Sequence, residues 1–237
     1  MDALTQSTSA LVGISLTGEQ RRRVERYAEE LVRWNQRANL TTITDPAEIA
    51  TKHFLDSFSC WLALAAVAPR RVIDVGTGAG FPGLALKILV PTLEVTLIEA
   101  TGKKAEFCRH VAQTLEMRQV EVIHGRAEDV AREPAHRERY DGALARAVAE
   151  LPTLAEYLLP FARLGGLAVA QKGESGPSEA HAAAGAMRLL GGALRKMVTV
   201  ELPGVVETRY LVVMEKVAST PERYPRRAGI PAKRPLS

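Results

Sequence analysis

The sequence predicts an α/β protein: a doubly wound sheet, mostly parallel with a final antiparallel strand, behind an N-terminal helical cap. Three observations predict it. From Arg71 onward, short apolar runs alternate with helical patterns. A glycine-rich turn, Gly76 to Gly83, joins the first run to the helix after it. Residues 17 to 68 show helical periodicity and no strand pattern. Alternating strands and helices form a parallel sheet covered on both faces.

The elements follow in order. Residues 1 to 16 are rich in Ser and Thr and are expected to be disordered. Thr17 starts a helix, with Gln20 three residues later as in a capping box. Val24, Tyr27, Ala28, Leu31 and Trp34 share one face, and the arginines and glutamates between them read as a solvated face. Asp45-Pro46-Ala47-Glu48 opens a second helix, because Asp caps and Pro suits the first helical position. Strands are expected at 71–75, 94–98, 120–123, 140–145 and 167–170, with helices at 84–89, 103–117, 151–161 and 178–190. Gly165-Gly166 is expected to break the helix before it. Two late strands, 195–201 and 208–216, can pair across Pro203-Gly204.

Composition narrows the function. Of 237 residues, 46% are hydrophobic and 24% charged, as in a globular protein with a full-sized core. The longest apolar run, Trp61 to Ala68, is far below the ~20 residues of a membrane helix. The first residues lack the layout of a secretory leader. Cys60 and Cys108 form no CxxC pair, so neither a zinc site nor a disulfide framework is expected, and a cytoplasmic setting fits. From Lys216 onward there are six cations against Glu222 alone, +5 for that segment and −1 for the rest of a chain of net charge +4. On charge alone, a solvated terminus and a polyanionic partner explain this tail equally.

The motif that points to chemistry is Asp74-Val75-Gly76-Thr77-Gly78-Ala79-Gly80, between a strand and a helix. A dinucleotide fingerprint, G-x-G-x-x-G, would place its third glycine at position 81, which is Phe81. The G-x-G-x-G spacing behind an acid is instead that of S-adenosyl-L-methionine sites, in the class I methyltransferase (Rossmann-like) fold. Glu99 ends the next strand about 20 residues on, where a carboxylate can take ribose hydroxyls. Ala127-Glu128 follows the third strand, where an adenine contact would lie. Beyond the disordered 1–16, the expected organisation is a cap at 17–68, an adenosylmethionine-binding methyltransferase domain at 69–217, and a basic tail at 218–237, packed on or near the site of a polyanionic partner.

Further blocks make the likeness specific. They are Asn39-Leu40-Thr41, His53-Phe54-Leu55-Asp56-Ser57, the run IDVGTGAGFPG, Gly125-Arg126-Ala127-Glu128, Arg146-Ala147-Val148, Gln171-Lys172-Gly173, Tyr224-Pro225-Arg226-Arg227 and, after Pro231, Lys233-Arg234-Pro235-Leu236. On these the chain resembles the glucose-inhibited division protein B family, bacterial 16S ribosomal RNA methyltransferases that modify guanine N7 in the 530 loop. The resemblance runs from about Asn35 to Leu236. It implies cofactor contacts at Gly76, Phe81, Glu99, Ala100, Thr101, Ala127, Glu128 and Arg146, to which the glycine turn itself adds Gly78 and Gly80. It makes 16S RNA or a small-subunit assembly intermediate the expected partner, with no membrane and no stable protein partner. Lys172, at the end of the fifth strand, and Arg226, Arg227 and Lys233, in the basic tail, are the expected RNA contacts. Glu99 stands where the family often has Asp, and Lys103-Lys104 where it often has Lys-Arg.

Guanine N7 has a free lone pair and no proton to lose, so no general base is expected and Arg146 is given an orienting role. Adenosylhomocysteine is the expected product. His53 and Asp56, three residues apart, are read as a local hydrogen-bonded pair. Three other readings stay open: an NAD(P)-dependent reductase on the same scaffold, a non-catalytic RNA-binding factor, and a methyltransferase for a protein or small molecule, against which the basic tail argues weakly.

Overall fold

The computed structural model describes residues 1–237. Seven strands form one sheet: β1 (Arg71–Val75), β2 (Glu94–Glu99), β3 (Val120–His124), β4 (Tyr140–Arg146), β5 (Ala162–Lys172), β6 (Gly192–Val200) and β7 (Arg209–Lys216), in the order β3-β2-β1-β4-β5-β7-β6. The first five are parallel, and β7 runs antiparallel between β5 and β6. The expected pairing of the last two strands is present, with β7 inserted beside β5. The order reverses between β1 and β4, and a crevice opens at the carboxyl ends of strands at such a point.

Helices cover both faces. The cap contains α1 (Asp2–Val12), α2 (Gly18–Ala38) and α3 (Pro46–Glu48), a π-helical segment (Ile49–Leu55), α4 (Asp56–Ser59), α5 (Trp61–Leu64) and a last tight turn through Val67. With α6 (Gly83–Leu89) and α7 (Gly102–Thr114) it builds one core, which includes Tyr27, Phe54, Leu84 and Phe107. The other face packs α8 (Ala127–Val130), α9 (Leu151–Leu158), α10 (Gly176–Ala182), α11 (Ala184–Leu189) and the tail residues Tyr224 and Leu236. A short α12 (Ile230–Lys233) lies within the tail.

The capping box at Thr17 forms as expected, with Gln20 N–H donating to Thr17 Oγ1 and Thr17 N–H to Gln20 Oε1. Polar contacts then lock the cap to the sheet layer. Gln20 Nε2 donates to the carbonyls of Ile88 and Leu89, both at 2.9 Å, ending α6. Tyr27 Oη donates to the Ala79 carbonyl at 2.5 Å. The buried Glu30 carboxylate takes His110 of α7 at 2.8 Å and pairs with Arg26 and Arg33.

Three expectations are corrected. Residues 2–12 are helical, not disordered: Leu4 and Thr8 are buried, Thr8 Oγ1 donates to the Leu4 carbonyl, and Gly13 closes the helix at φ 72°. The polar composition masked a short apolar face that packs on the cap. Gly165-Gly166 does not end a helix; it lies inside β5, which begins at Ala162. A Cβ at Gly166 would lie 2.9 Å from the carbonyl oxygens of Arg163 and Tyr140. The pairing with β4 shifts register there, so the glycines make a bulge in the strand. Finally, the Ala-rich stretch divides into α10 and α11 at Ala183.

Candidate functional site

A cavity of about 560 Å³ opens at the carboxyl ends of β1, β4 and β5, under the cap. The glycine turn supplies Gly76, Thr77, Gly78, Ala79 and Phe81, the cap Leu40, Ile43, Lys52, His53 and Asp56, and β4 and β5 supply Arg146, Gln171 and Lys172. Another groove, about 610 Å³ and mostly apolar, lies between α2 and the π-helical segment, away from the strand ends.

The turn has the backbone its glycines allow. Gly76, Gly78 and Gly80 have φ of 67°, 60° and 90°, a region that side chains disfavour. The three differ in surroundings. A Cβ on Gly80 would collide with Tyr27 Oη and Leu84, and one on Gly76 with Val148, whereas one on Gly78 would meet nothing within 4 Å. Gly78 thus faces open space.

Asp74 lies under the turn, fully buried. Its Oδ2 accepts from Thr77 Oγ1 at 2.6 Å and from Gly83 N–H at 2.8 Å, while Oδ1 has no partner. Burial raises its pKa to about 6, against the lowering effect of those two bonds. Glu99 accepts from Gly78 N–H at 2.9 Å and from Thr101 N–H at 2.8 Å, tying the turn to the start of α7. The Ala100 carbonyl lies 3.1 Å from His124 Nε2. These residues fit adenosylmethionine: an open glycine, and an unpaired buried carboxylate oxygen that suits an ammonium group.

Phe81 is clasped on both faces, by Tyr27 at 4.9 Å and His53 at 4.8 Å between centroids, with Phe54 edge-on at 5.3 Å. Both ring faces are taken, so Phe81 holds the turn against the cap and offers no stacking platform.

Arg146 and Asp56 pair at 2.8 Å. Arg146 Nη1 also reaches the carbonyls of Lys52 and His53 at 3.3 and 3.4 Å. The π-helical segment explains this reach, since its wider turn re-aims carbonyls that an α-helix would engage. His53 does not bond Asp56, contrary to expectation. Its Nε2 lies 2.9 Å from Thr41 Oγ1 and its Nδ1 3.5 Å from Arg146 Nη2. Since the guanidinium can only donate, Nδ1 accepts and Nε2 carries the proton. Burial, and then the Arg146 charge, depress His53 to about 4, so it stays neutral.

The remaining expected residues lie apart from the cavity or are already engaged. Glu128 opens α8 and accepts from Gly229 N–H at 2.8 Å, so the tail covers its carboxylate. Lys172 pairs with Glu179 at 2.7 Å and donates to the Ala149 carbonyl. Arg226 is held by Glu156 at 2.6 Å. Arg227 and Lys233 are exposed and have no carboxylate partner. Sequence reasoning missed Gln171 as a lining side chain, although it sits in the Gln-Lys-Gly block at the end of β5. It also missed Lys104 and Arg209, the two lining cations without a carboxylate partner. Lys104 is marked only as a departure from the family's Lys-Arg pair, and nothing around Arg209 marks it.

Known methyltransferases resemble the chain in sequence and in fold. Residues 20–207 match the family model GidB, rRNA small subunit methyltransferase G. A ribosomal RNA small subunit methyltransferase G from Roseiflexus castenholzii is 53% identical over 224 residues, 94% of this chain and 95% of that protein. One of the same description from Moorella thermoacetica is 47% identical over 235 residues, covering 99% of this chain and 98% of that protein. Among solved structures, an O-methyltransferase from Bacillus cereus in complex with SAH superposes with a TM-score of 0.58 at 16% identity, covering 90% of this chain and 97% of that one.

Proposed function

The chain belongs to the GidB family, rRNA small subunit methyltransferase G, and from that premise we propose that it methylates N7 of a guanine in the 530 loop of 16S ribosomal RNA. S-adenosylmethionine is the methyl donor. The single observation that supports the reading in this chain is the cavity: a G-x-G-x-G floor, a charged cap wall, and an opening at the strand ends where the sheet order reverses.

Bound adenosylmethionine supplies a methyl group on a sulfonium, an electrophile that a nitrogen lone pair attacks directly. Asp74 Oδ1 and the open side of Gly78 would hold its amino-acid end, and Glu99 its ribose hydroxyls. Each Glu99 oxygen accepts one backbone N–H and keeps a second lone pair for them. Ala127 and the start of α8 flank the adenine position. Arg146 orients the wall of the substrate side through Asp56 and the cap carbonyls. Because guanine N7 carries no proton, no side chain need remove one. The work of the protein is alignment and exclusion of water. In an A-form helix N7 lies in a deep, narrow groove, so the target base is presented from a loop or turned out of its stack.

Five of the six charged residues lining the cavity are cations, which suits the phosphates around that base. The RNA is methylated free or within a partly assembled subunit, with Lys172, Arg227 and Lys233 among its contacts. No helix is long and apolar enough to cross a membrane, and the cytoplasm is the proposed place of action. The test is transfer of labelled methyl from adenosylmethionine to 16S RNA and to small subunits, followed by mapping of the modified base. Label on an exocyclic amine or a ribose hydroxyl would refute the N7 assignment.

A further inference from the structure

The tail is fastened to the body from Thr220 to Pro231. After β7 ends at Lys216, it runs back over α9 to α8, which follows the strand at the far edge of the sheet. Arg137 donates to the Thr220 and Tyr224 carbonyls at 2.7 and 2.9 Å, and Arg132 to the Pro225 carbonyl at 2.6 Å. Glu156 holds Arg226, and Thr153 Oγ1 donates to the Pro231 carbonyl at 3.2 Å. Tyr224 and Leu236 pack into the core on that face. A solvated terminus has no use for these bonds. Arg227 and Lys233 are exposed and take no part in them.

One fastening lies beside the cofactor site. Gly229 N–H donates to Glu128 Oε1 at 2.8 Å, and Glu128 is buried in the first turn of α8. That turn is linked to the glycine turn through Glu99. Gly125 N–H donates to the Glu99 carbonyl at 3.1 Å, and Gly78 N–H to the Glu99 carboxylate at 2.9 Å. Glu99 and His124 are register partners at the ends of β2 and β3, so Gly125 leaves the sheet beside Glu99 and leads into α8. A nucleoside with its amino-acid end at Gly78 and its ribose at Glu99 brings its base toward α8. The first turn of α8 is the turn to which Gly229 is bonded.

We propose that the docked tail is part of the cofactor site: it fixes the first turn of α8 through the Gly229–Glu128 bond, and adenosylmethionine binds the docked form more tightly than the undocked one. This rests on the reading of the glycine turn and Glu99 as the cofactor site. Gly229 and Glu128 are then positioning residues. A wall that is fixed before the ligand arrives removes an ordering cost from binding. Such coupling is reciprocal, so bound cofactor in turn holds the tail down.

The experiment is amide hydrogen exchange on the full chain, with and without adenosylhomocysteine. At about 100 times its Kd the ligand should slow exchange in the tail around Gly229 by up to about 100-fold. Peptides from α1 and β6, remote from the site, report any general gain of stability, and the tail should slow more than they do. Arg226→Lys keeps the charge, loses the planar fork and loosens the tail without touching the cofactor site. Its Kd for adenosylhomocysteine and its KM for adenosylmethionine should rise by about threefold or more, with kcat retained. Tail exchange in wild type that the ligand leaves unchanged, slows no more than in α1 and β6, or accelerates overturns the proposal without any variant. Wild-type Kd in an Arg226→Lys protein whose tail exchanges faster overturns it as well. If calorimetry shows no adenosylhomocysteine binding to wild type, the cofactor reading has failed instead, and that result comes before any exchange is measured.

Discussion

Arg226 closes on the fully buried carboxylate of Glu156 with its whole hydrogen-bonding edge. Its Nε lies 3.0 Å from Oε1 and its Nη2 2.6 Å from Oε2, and its own backbone N–H adds a bond of 2.6 Å to Oε1. The carboxylate is on α9 and the guanidinium on the tail, so the pair fastens the tail to the sheet layer. Removing one partner of a buried pair leaves the other charge uncompensated, at a cost of about 3–5 kcal/mol. Arg226→Ala should therefore destabilise the fold by that order in chemical denaturation. A loss below about 1 kcal/mol would mean that water replaces the guanidinium.

The RNA contribution of the tail is then to be sought at Arg227 and Lys233, which are exposed and unpaired. Every phosphate that is no longer neutralised should reduce the slope of log affinity against log salt by about one unit. Charge reversal at both positions should flatten the slope and leave adenosylhomocysteine affinity unchanged. A slope equal to that of wild type would remove the tail from the RNA interface.

Most of the sheet was legible because its strands are short apolar runs such as RVIDV and EVTLI, bounded by turn residues. Helix α1 and the start of β5 were not, since a Ser/Thr-rich helix and a strand with a glycine bulge depend on tertiary packing that local pattern does not encode. The site divides similarly. The glycine turn and Glu99 could be read from spacing, and the two meet through the Gly78 N–H. The engagement of Glu128 by Gly229, and of Lys172 by Glu179, joins residues 101 and 7 positions apart, and no sequence rule pairs them. His53 and Asp56 have the spacing of a bonded pair but meet through Arg146, because the helix widens there.

The two glycines at 78 and 80 should fail differently on substitution. Gly78→Asp puts a carboxylate into open space where the cofactor carboxylate is expected, so calorimetry should show loss of adenosylmethionine and adenosylhomocysteine binding in a folded protein. Gly80→Ala drives a methyl group into Tyr27 and Leu84, an overpacking that costs about 1–3 kcal/mol of stability. If Gly78→Asp binds both ligands as wild type does, the cofactor site lies elsewhere.

Asp74 should make cofactor binding depend on pH. Its carboxyl is raised to about 6, chiefly by burial. Above that pH it is ionised and can pair with the cofactor ammonium; as pH falls through 6 it takes up a proton and the pairing is lost. Affinity should drop by up to about tenfold per pH unit below that point. Asp74→Asn should bind more weakly at pH 7.5 and show a flat profile. Constant wild-type affinity from pH 7.5 to 5 would mean that Asp74 does not face the ammonium.

The methyl-transfer step itself should not depend on pH. The proposed nucleophile has no proton to give up, and the group nearest to a base in the cavity, His53, is held near 4 by burial and by Arg146. It is neutral throughout the working range, and its Nδ1 lone pair faces a guanidinium. Asp74 titrates near 6, but its effect falls on binding and disappears when cofactor saturates. Single-turnover transfer at saturating RNA and adenosylmethionine should therefore be flat between pH 6 and 9, while kcat/KM for the cofactor falls on the acid side. The contrast between the two profiles is the informative result, since one general base would bend both. A tenfold loss per unit in the single-turnover rate, with RNA still bound and folded, would require a base with a pKa inside that range. The acceptor would then be an amine or hydroxyl that must shed a proton, and guanine N7 would be excluded.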